Sequence, residues 1–298
     1  MVDNALPLFS ERLARSLRSI GLDAREFEFQ KRTNVVKWVL KLMRSKAKII
    51  HYLWGGSPLI VYIVPKLLGK KVIIHWVGTD VLMATASKSL HQKLIFRIVD
   101  LHLTVAEHLA NELEILGIRA KVIPLVPDRL QSIAENIPWP ISKSVYVYLP
   151  KARQEIYGAN DVFQLAKEMP DIEFLITAHD GSDAPHLPNL VYLNQVSDEE
   201  MELIWGKVKA YLRLTWHDGM PQTIIEALTR GRYVVWTYEF PHCIQVHSRD
   251  DAKEALRVAL AQEFPNAGGI AYAKKNFSPI KMAEDLRQEY YNILSPSK

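Results

Sequence analysis

The sequence predicts an α/β protein built from two consecutive halves, each with a parallel β-sheet covered by helices on both faces. Strand-like apolar runs alternate with helix-like segments along all 298 residues, which is typical of βαβ units. Runs such as Val72-Ile73-Ile74 are apolar at every position, as expected for strands buried on both faces. Between the halves, Ile137-Pro138-Trp139-Pro140 cannot be helical, because each proline fixes its own φ and keeps its predecessor extended.

The alternation assigns most elements in order. In the first half, strands are predicted at 24–29, 48–53, 71–76, 101–105 and 121–125, and helices at 10–20, 34–44, 58–68, 90–99 and 107–116. In the second half, strands are predicted at 145–149, 172–177, 190–193, 210–212 and 233–236, and helices at 161–167, 198–205, 222–230, 251–260 and 279–294. The predicted domains are 1–137 and 141–278, followed by a final helical segment at 279–298. Two consecutive sheets of this kind leave a cleft for a ligand at the carboxyl ends of their strands.

The amino terminus is short for such a domain. Only residues 1–4 precede Leu6-Pro7-Leu8, and the first glycine is Gly21. We therefore expect either a vestigial first strand or a true start that lies upstream.

Composition narrows the class of protein. The single cysteine, Cys243, excludes an internal disulfide framework and fits a reducing compartment. The chain has neither a run of about 18 apolar residues nor a signal-peptide pattern. We expect a cytoplasmic protein, with a peripheral position on the inner face of the membrane as an option.

The positive charge is concentrated in the first half. Residues 1–140 carry 20 Lys/Arg and 12 Asp/Glu, and residues 141–298 carry 17 and 21. Near residues 35–48, an apolar stripe (Val36, Val39, Leu40, Met43) runs beside a basic stripe (Lys37, Lys41, Arg44, Lys48). This helix could lie on anionic lipid, or the apolar stripe could pack on the sheet while the basic stripe stays in solvent. The sequence favours no nucleic-acid partner, because no RNA-binding motif accompanies the basic region.

The strongest functional signal is the segment from Trp216 to Gly231. Pro221 suits the first position of a helix and Gly231 its left-handed exit. The first N–H groups of that helix have no helical partner, so its amino terminus is suited to a diphosphate. Asp218 lies in the loop before the helix, and Glu226 lies about one turn inside it. Two carboxylates beside an anion site suit a nucleotide-sugar, one for the ribose and one for the hexose.

This segment is similar to the Glu-x7-Glu region of family-4 retaining glycosyltransferases, with Asp218 at the place of the first glutamate. The resemblance implies the GT-B fold, with the donor bound by the second domain and the acceptor by the first. It implies that Glu226 binds the donor ribose and that Asp218 contacts the transferred sugar. The stretch 196–201 looks like the family's turn beside the nucleobase. The final helix looks like the one that returns to the first domain.

Two further stretches resemble the family less closely. The family has an Arg and, five residues later, a Lys before Gly as a diphosphate clamp, and here Tyr157 stands at the lysine position before Gly158. The cations are then expected from Arg153 and Lys151, both of which could equally be solvated loop residues. The loop 177–181 lacks the glycine-rich sequence usual beside the donor base.

In the first domain, Ile74-His75-Trp76-Val77-Gly78-Thr79-Asp80 looks like the family's His-Gly-Thr-Asp strand end, with Val77 at the histidine position. His75 lies on the same face two residues earlier and could serve the acceptor or be a core histidine. Asp80 ends the strand at the expected cleft edge. His51, Trp54 and Gly55 end another strand there.

These considerations predict a metal-independent transfer of a sugar from a nucleoside-diphosphate sugar to a hydroxyl acceptor, lipid-linked or polysaccharide. The resemblance to the family implies that the transfer retains the configuration of the sugar. No Asp-x-Asp motif or zinc-ligand spacing occurs, so we expect neither metal nor cofactor. The predicted catalytic residues are Asp218, Asp80 and His75. The predicted donor-binding residues are Glu226, Arg153, Lys151, Gly219, Gln222 and Thr223. The predicted acceptor-binding residues are His51, Trp54 and Gly55. A sugar-nucleotide epimerase and a non-catalytic sugar- or nucleotide-binding relative are the alternatives.

Overall fold

A computed structural model describes residues 2–3, 7–27, 35–86, 96–132 and 139–295. Its residue contacts divide the chain into two units. Unit 1 comprises Met1–Gln131, Asp218–Gln222 and Phe277–Lys298, and unit 2 comprises Ser132–His217 and Thr223–Asn276. The predicted boundary at 137–141 falls partly on residues 133–138, which lie outside the described residues.

Unit 1 contains a six-stranded parallel sheet of order β2-β1-β3-β4-β5-β6 in the described residues. Its strands are β1 (Val2–Asp3), β2 (Glu26–Phe27), β3 (Ile49–Tyr52), β4 (Lys71–Trp76), β5 (Leu101–Thr104) and β6 (Lys121–Val122). Its helices are α1 (Pro7–Ser19), α2 (Val35–Arg44), α3 (Leu59–Leu67), α4 (Thr79–Ala86) and α5 (Glu107–Ile115), followed by a 3-10 helix at Asp128–Ser132.

Unit 2 contains a second six-stranded parallel sheet, of order β12-β11-β10-β7-β8-β9. Its strands are β7 (Ser144–Tyr148), β8 (Glu173–Thr177), β9 (Leu190–Tyr192), β10 (Ala210–Arg213), β11 (Tyr233–Trp236) and β12 (Cys243–Gln245). The helices of the second half are α6 (Ala159–Glu168), α7 (Asp198–Lys207), α8 (Gln222–Thr229), α9 (Arg249–Leu260), α10 (Ala267–Asn276) and α11 (Pro279–Leu294). The structure therefore confirms the predicted α/β class and both parallel sheets.

Alternation along the strands of unit 2 gives its sheet two different faces. One face carries aliphatic side chains such as Val145, Val147 and Leu212, which pack into a core with α6 and α9. The other face carries Tyr146 and Tyr211, whose rings stack with centroids 5.1 Å apart. These aromatic side chains lie on the same face as residue 213, at the carboxyl end of β10.

The carboxyl-terminal helix α11 belongs to unit 1 by its contacts. The ammonium of Lys121 lies 2.7 Å from the carboxylate of Glu289. The backbone N–H of Val126 donates to the sulfur of Met282 at 3.2 Å. Leu286 and Tyr290 of the same helix are buried.

The buried face of α2 differs from the predicted apolar stripe. Trp38 and Leu42 are buried, whereas Leu40 is 42% and Met43 60% exposed. Packing of that stripe on the sheet is therefore wrong for Leu40 and Met43, because residues 38 and 42, one helical turn apart, define the inward face. Of the helices in the described ranges, none is long and apolar enough to cross a membrane.

Several short elements were not predicted. Strand β1 has only two residues and pairs with both β2 and β3. Helix α4 begins at Thr79, where the sequence was interpreted as a strand end. Strand β12 and helix α10 were also missed. The predicted helix at 90–99 lies mainly outside the described residues.

Candidate functional site

Glu226 is the most deeply buried carboxylate predicted for the site. It lies in α8 with no exposed surface. Its own backbone carbonyl accepts from the Arg230 guanidinium at 3.0 Å, while the same guanidinium forms an ion pair with Glu202. The Glu226 charge also helps to raise the pKa of the Tyr146 hydroxyl, although burial is the larger cause. The Glu226 carboxyl group thus lies inside unit 2, close to the aromatic face of its sheet.

A polar chain connects β10 with the first turn of α8. The Arg213 guanidinium donates to the Tyr211 hydroxyl at 3.1 Å. That hydroxyl lies 2.8 Å from the Thr223 hydroxyl, with either oxygen able to donate. Thr223 is the second residue of α8, so the chain ends where the helix presents its first N–H groups.

Arg213 is a residue that the sequence analysis missed. It is the last residue of β10 and only 7% exposed. The centre of its guanidinium lies 5.2 Å from the Tyr157 ring centroid and 5.7 Å from that of Tyr148. The sequence signal that could have identified Arg213 is its position as a charged residue directly after the apolar strand residues Tyr211 and Leu212.

The loop from β7 to α6 reaches the same strand end. Gly158, at φ +65°, packs so closely on the backbone of Leu214 that a Cβ would clash with its carbonyl oxygen. The N–H of Trp216 donates to the carbonyl of Ile156 at 3.2 Å. Arg153 lies in this loop, exposed and with a positive φ of 65°. Any non-glycine residue at such a φ is uncommon. The loop is therefore anchored beside β10, and Arg153 is exposed on it.

Lys151 has local partners for its charge. Its ammonium lies 3.1 Å from the Asp180 carboxylate and 2.5 Å from the Ser182 hydroxyl. Hydrogen bonds from Ser182 and the neighbouring Lys151 lower the pKa of Asp180 to about 2. Both partners of the ion pair are nearly half exposed. The predicted donor cation is thus held against the loop after β8.

In that loop, His179, Asp180 and Asp183 are the one group of described residues whose spacing could hold a metal ion. Each of these side chains already has a partner. The N–H of Gly181 donates to His179 Nδ1 at 2.9 Å, and the nitrogen of the Gln154 amide lies 3.1 Å from His179 Nε2. The Lys151 ammonium lies 3.1 Å from the Asp180 carboxylate and 4.0 Å from that of Asp183, so a positive charge already lies beside both carboxylates.

The segment 218–222 groups with unit 1, although its neighbours on both sides belong to unit 2. The backbone carbonyl of Asp218 lies 2.9 Å from His108 Nε2. The Gln222 side chain accepts from Arg12 at 3.0 Å and donates to the Leu125 carbonyl at 3.3 Å. A Cβ on Gly219 would clash with the Val77 carbonyl. The predicted sugar-binding residue Asp218 therefore lies on a segment packed within unit 1.

Asp80 is 99% buried, and the contacts of its carboxylate are to backbone groups. It accepts from the N–H groups of Gly55 and Gly78 at 2.9 Å each, and from those of Val77 and Val81 at 3.1 Å each. Burial raises the pKa of the carboxyl, and these hydrogen bonds oppose that rise. The side chain joins the loop after β3 to the start of α4, so these contacts serve the fold.

The two predicted histidines meet inside unit 1. The rings of His51 and His75 stack with centroids 5.4 Å apart and planes within 9°. His51 Nδ1 lies 2.7 Å from the Tyr290 hydroxyl, and His75 Nε2 lies 2.8 Å from the Ile123 carbonyl. Burial lowers the pKa of His51 well below its usual value and that of His75 to about 4. Both rings are therefore neutral at pH 7, and in this environment their protonated forms are disfavoured.

Gly55 and Trp54 occupy a tight turn after β3. A Cβ on Gly55 would clash with the Trp76 ring, and one on Gly56 would meet the Trp54 indole. The Trp54 carbonyl accepts from the Tyr62 hydroxyl at 3.0 Å. The turn is thus fixed by packing against unit 1 residues. Trp54 itself is half-buried.

Comparisons with known proteins support the architecture. No family model matches the chain, and no curated protein sequence matches it. Among solved structures, Anabaena HepE in complex with UDP-glucose matches with a TM-score of 0.70 and 11% identity, over 91% of this chain and 86% of that one. The sucrose-phosphate synthase of Thermosynechococcus elongatus matches with a TM-score of 0.75 and 11% identity, over 97% and 94%.

A third match is the lipopolysaccharide outer core galactosyltransferase WaaB in its apo form, with a TM-score of 0.66 and 12% identity over 98% of both chains. At such low identities these likenesses establish the fold, which is of the GT-B glycosyltransferase type.

Proposed function

We propose that this protein transfers a sugar from a nucleoside-diphosphate sugar to a hydroxyl acceptor. The observation that carries the proposal is the fully buried Glu226 on α8, immediately behind the helix start that the Tyr211–Thr223 hydrogen bond ties to the sheet. Ligands of open α/β sheets bind at the carboxyl ends of the strands, where β10 and α8 meet. HepE was solved with UDP-glucose on the same fold, which supports the same class of donor here.

In the proposed mechanism the donor diphosphate lies at the amino terminus of α8. N–H groups of the first turn, among them those of Gln222 and Thr223, and the Arg153 guanidinium bind its phosphate oxygens. Glu226 accepts hydrogen bonds from the ribose hydroxyls, and Asp218 with Gly219 faces the transferred hexose. The Asp218 side chain is one methylene shorter than the glutamate of the family that it resembles, which enlarges the sugar pocket.

Transfer breaks the bond between the anomeric carbon and the diphosphate oxygen, and the nucleoside diphosphate leaves with the electron pair. The acceptor hydroxyl oxygen bonds to the anomeric carbon and its proton passes to the departing phosphate oxygen. Retention of configuration follows if attack occurs on the face that the diphosphate leaves. We propose metal-independent catalysis, in which helix N–H groups and guanidinium groups stabilise the leaving charge.

The residues on the exposed side of α2 favour the proposal that the acceptor is carried by an anionic membrane. Lys37, Lys41 and Arg44 are exposed there beside the apolar side chains of Leu40 and Met43. Basic and apolar groups on one exposed helix face are what an interfacial helix requires. Each basic residue near an anionic surface contributes about 1 kcal/mol.

Sedimentation with vesicles containing phosphatidylserine tests this surface. The double variant Lys41→Gln/Arg44→Gln should bind about thirtyfold more weakly, since it loses two cations. The control Lys274→Gln/Lys275→Gln removes two exposed cations from α10 and should bind as the wild type does. Equal binding by both variants would exclude α2 as the membrane contact.

A thermal-shift panel of UDP, GDP and ADP with their common sugars tests the donor proposal. A ligand at a hundred times its dissociation constant stabilises by about 2.7 kcal/mol, which raises the melting temperature by a few degrees. We expect one nucleotide series to raise the melting temperature of the wild type and of the control Glu254→Gln, an exposed residue of α9, but not of Glu226→Gln. No shift with any nucleotide would contradict the proposal.

The products formed from the identified donor distinguish a transferase from the two alternative functions, an epimerase and a non-catalytic relative. Sugar transfer only in the presence of an acceptor identifies the transferase, and release of an altered sugar without acceptor identifies an epimerase. Binding without turnover identifies a non-catalytic relative, an alternative that Tyr157 at the lysine position favours.

A further inference from the structure

We infer that Arg213 binds the donor diphosphate and supplies the cation that is missing at position 157. This inference rests on the proposed function, because it assumes a nucleoside diphosphate at the start of α8. It assigns a role to a residue at the end of a core strand that no sequence motif marks.

The position of Arg213 is the first support. It is the last residue of β10, and four residues separate it from Asp218 in the loop that leads to α8. Strand β10 pairs in parallel with both β7 and β11, so its carboxyl end lies centrally on the edge where an α/β sheet binds ligands. A ligand phosphate at the start of α8 would therefore lie close to this strand end.

The contacts of the guanidinium are the second support. It lies over the ring of Tyr157, the residue at the lysine position, and over that of Tyr148. Aromatic faces attract a guanidinium and restrict its orientation. Its hydrogen bond to the Tyr211 hydroxyl continues to Thr223 in the first turn of α8. Arg213 is thus oriented by the same groups that position the helix start.

The distribution of charge is the third support. Lys151 is paired with Asp180, so its charge is largely compensated before any ligand binds. Arg153 is exposed, and water weakens the attraction of an exposed cation for phosphate. Arg213 is 93% buried, and an interaction with phosphate at such a site is less screened. The planar guanidinium also matches two phosphate oxygens at once, which a lysine ammonium does not.

A role at the diphosphate has a specific consequence for binding. Arg213 should strengthen the binding of a nucleoside diphosphate more than that of the monophosphate. A merely structural role would change both affinities equally. The ratio of the two affinities is therefore the readout that separates the roles.

Isothermal titration of wild type and Arg213→Gln with UDP, GDP and ADP, each beside its monophosphate, tests the inference. We expect Arg213→Gln to weaken diphosphate binding by about tenfold to a hundredfold, the effect of one charged hydrogen-bonding group. Monophosphate binding should change by less than about threefold. The control Arg257→Gln removes an exposed arginine from α9 and should bind both ligands as the wild type does.

A rescue variant sharpens the test. Tyr157→Lys in the Arg213→Gln background returns a cation to the neighbouring position and should restore diphosphate affinity to within about threefold of wild type. If Arg213→Gln does not fold, Arg213→Lys replaces it, with an expected selective loss of about threefold to tenfold from the lost planar contact.

Selective loss together with rescue supports the role of Arg213. Unchanged diphosphate binding by a folded variant, or equal loss for both phosphates, overturns it while leaving the proposed function intact. If the wild type binds none of the three diphosphates, the proposed function fails, and the inference fails with it.

Discussion

The buried polar residues of the two units differ in their hydrogen-bond partners. In unit 1, Asp80, His51 and His75 are almost completely buried and make their hydrogen bonds to backbone carbonyls, backbone N–H groups or the core hydroxyl of Tyr290. In unit 2, Arg213 and Thr223 form a chain of polar side chains that ends at the start of a helix. The first arrangement satisfies polar groups of the core, and the second positions groups where a ligand can bind.

This difference teaches that burial of a polar residue is ambiguous until its partners are known. A buried carboxylate that accepts several backbone N–H groups contributes to folding, because its removal leaves those donors unsatisfied. A buried guanidinium that contacts aromatic rings beside a helix start has different surroundings, since the N–H groups of that helix start also favour an anion. Arg213 and Thr223 are therefore better candidates for ligand binding than Asp80, His51 and His75.

The largest effect is expected for Glu226. Glu226→Gln keeps the shape of the side chain and removes the carboxylate that we propose as the acceptor for the ribose hydroxyls, so donor-dependent kcat/KM should fall about a hundredfold. The measurement is initial rate against donor concentration, once the panel has identified the donor. The control is Glu254→Gln, at an exposed position of α9. Full activity of Glu226→Gln would show that the carboxylate is as structural as that of Asp80.

The next largest effect is a loss of stability at Asp80. Asp80→Asn replaces one accepting oxygen by an NH2 group that faces backbone donors, which should cost about 2 kcal/mol of unfolding free energy. Urea denaturation followed by circular dichroism measures it. If Asp80→Asn leaves stability unchanged and abolishes sugar transfer, Asp80 takes part in catalysis. The distinction between folding residues in unit 1 and ligand-binding residues in unit 2 would then be wrong.

The stability of the fold should depend on pH because of His75. Burial lowers the pKa of His75 to about 4 in the folded protein, against about 6.5 in the unfolded chain. Between these values the unfolded chain binds more protons, so this group destabilises the fold as the pH falls from 6.5 to 4. At pH 5 the loss relative to pH 7 should be about 2 kcal/mol.

His75→Gln does not titrate in this range, so the wild type should lose more stability than the variant between pH 7 and pH 5. Urea denaturation at both pH values gives the difference. An identical pH dependence of the two proteins would mean that His75 has the same pKa in the folded and unfolded states, as a solvent-accessible histidine would.

The smallest effect is expected for Lys151. Because its ammonium is paired with Asp180 and both groups are nearly half exposed, Lys151→Gln should cost less than about 1 kcal/mol of stability. Donor affinity should change by less than about threefold, well below the change for Arg213→Gln. Titration calorimetry with the identified nucleotide measures it. A tenfold loss would show that Lys151 leaves Asp180 to bind the donor.

Most of the fold could be predicted because buried parallel strands are continuous apolar runs. The ranges of β4, β11 and α11 agree with their predictions residue for residue. The strands β1 and β12 were missed because two or three residues carry no periodic signal. Helix α4 was missed because its first turn follows a strand directly, with Asp80 hydrogen-bonded across the junction.

The candidate site could be predicted only where it is local in sequence. Helix α8 with Glu226 follows from Pro221 and Gly231 alone. The role of Arg213 depends on two tyrosines from other parts of the chain, and no local pattern links them. The stacking of His51 on His75 likewise depends on the register between β3 and β4.

Hydrogen–deuterium exchange with and without the identified nucleotide tests the central claim most directly. The account predicts slower exchange in peptides covering 148–158 and 213–226 on nucleotide binding, with unchanged exchange in those covering 49–56 and 71–80. Protection confined to the β3 and β4 peptides of unit 1 would contradict it.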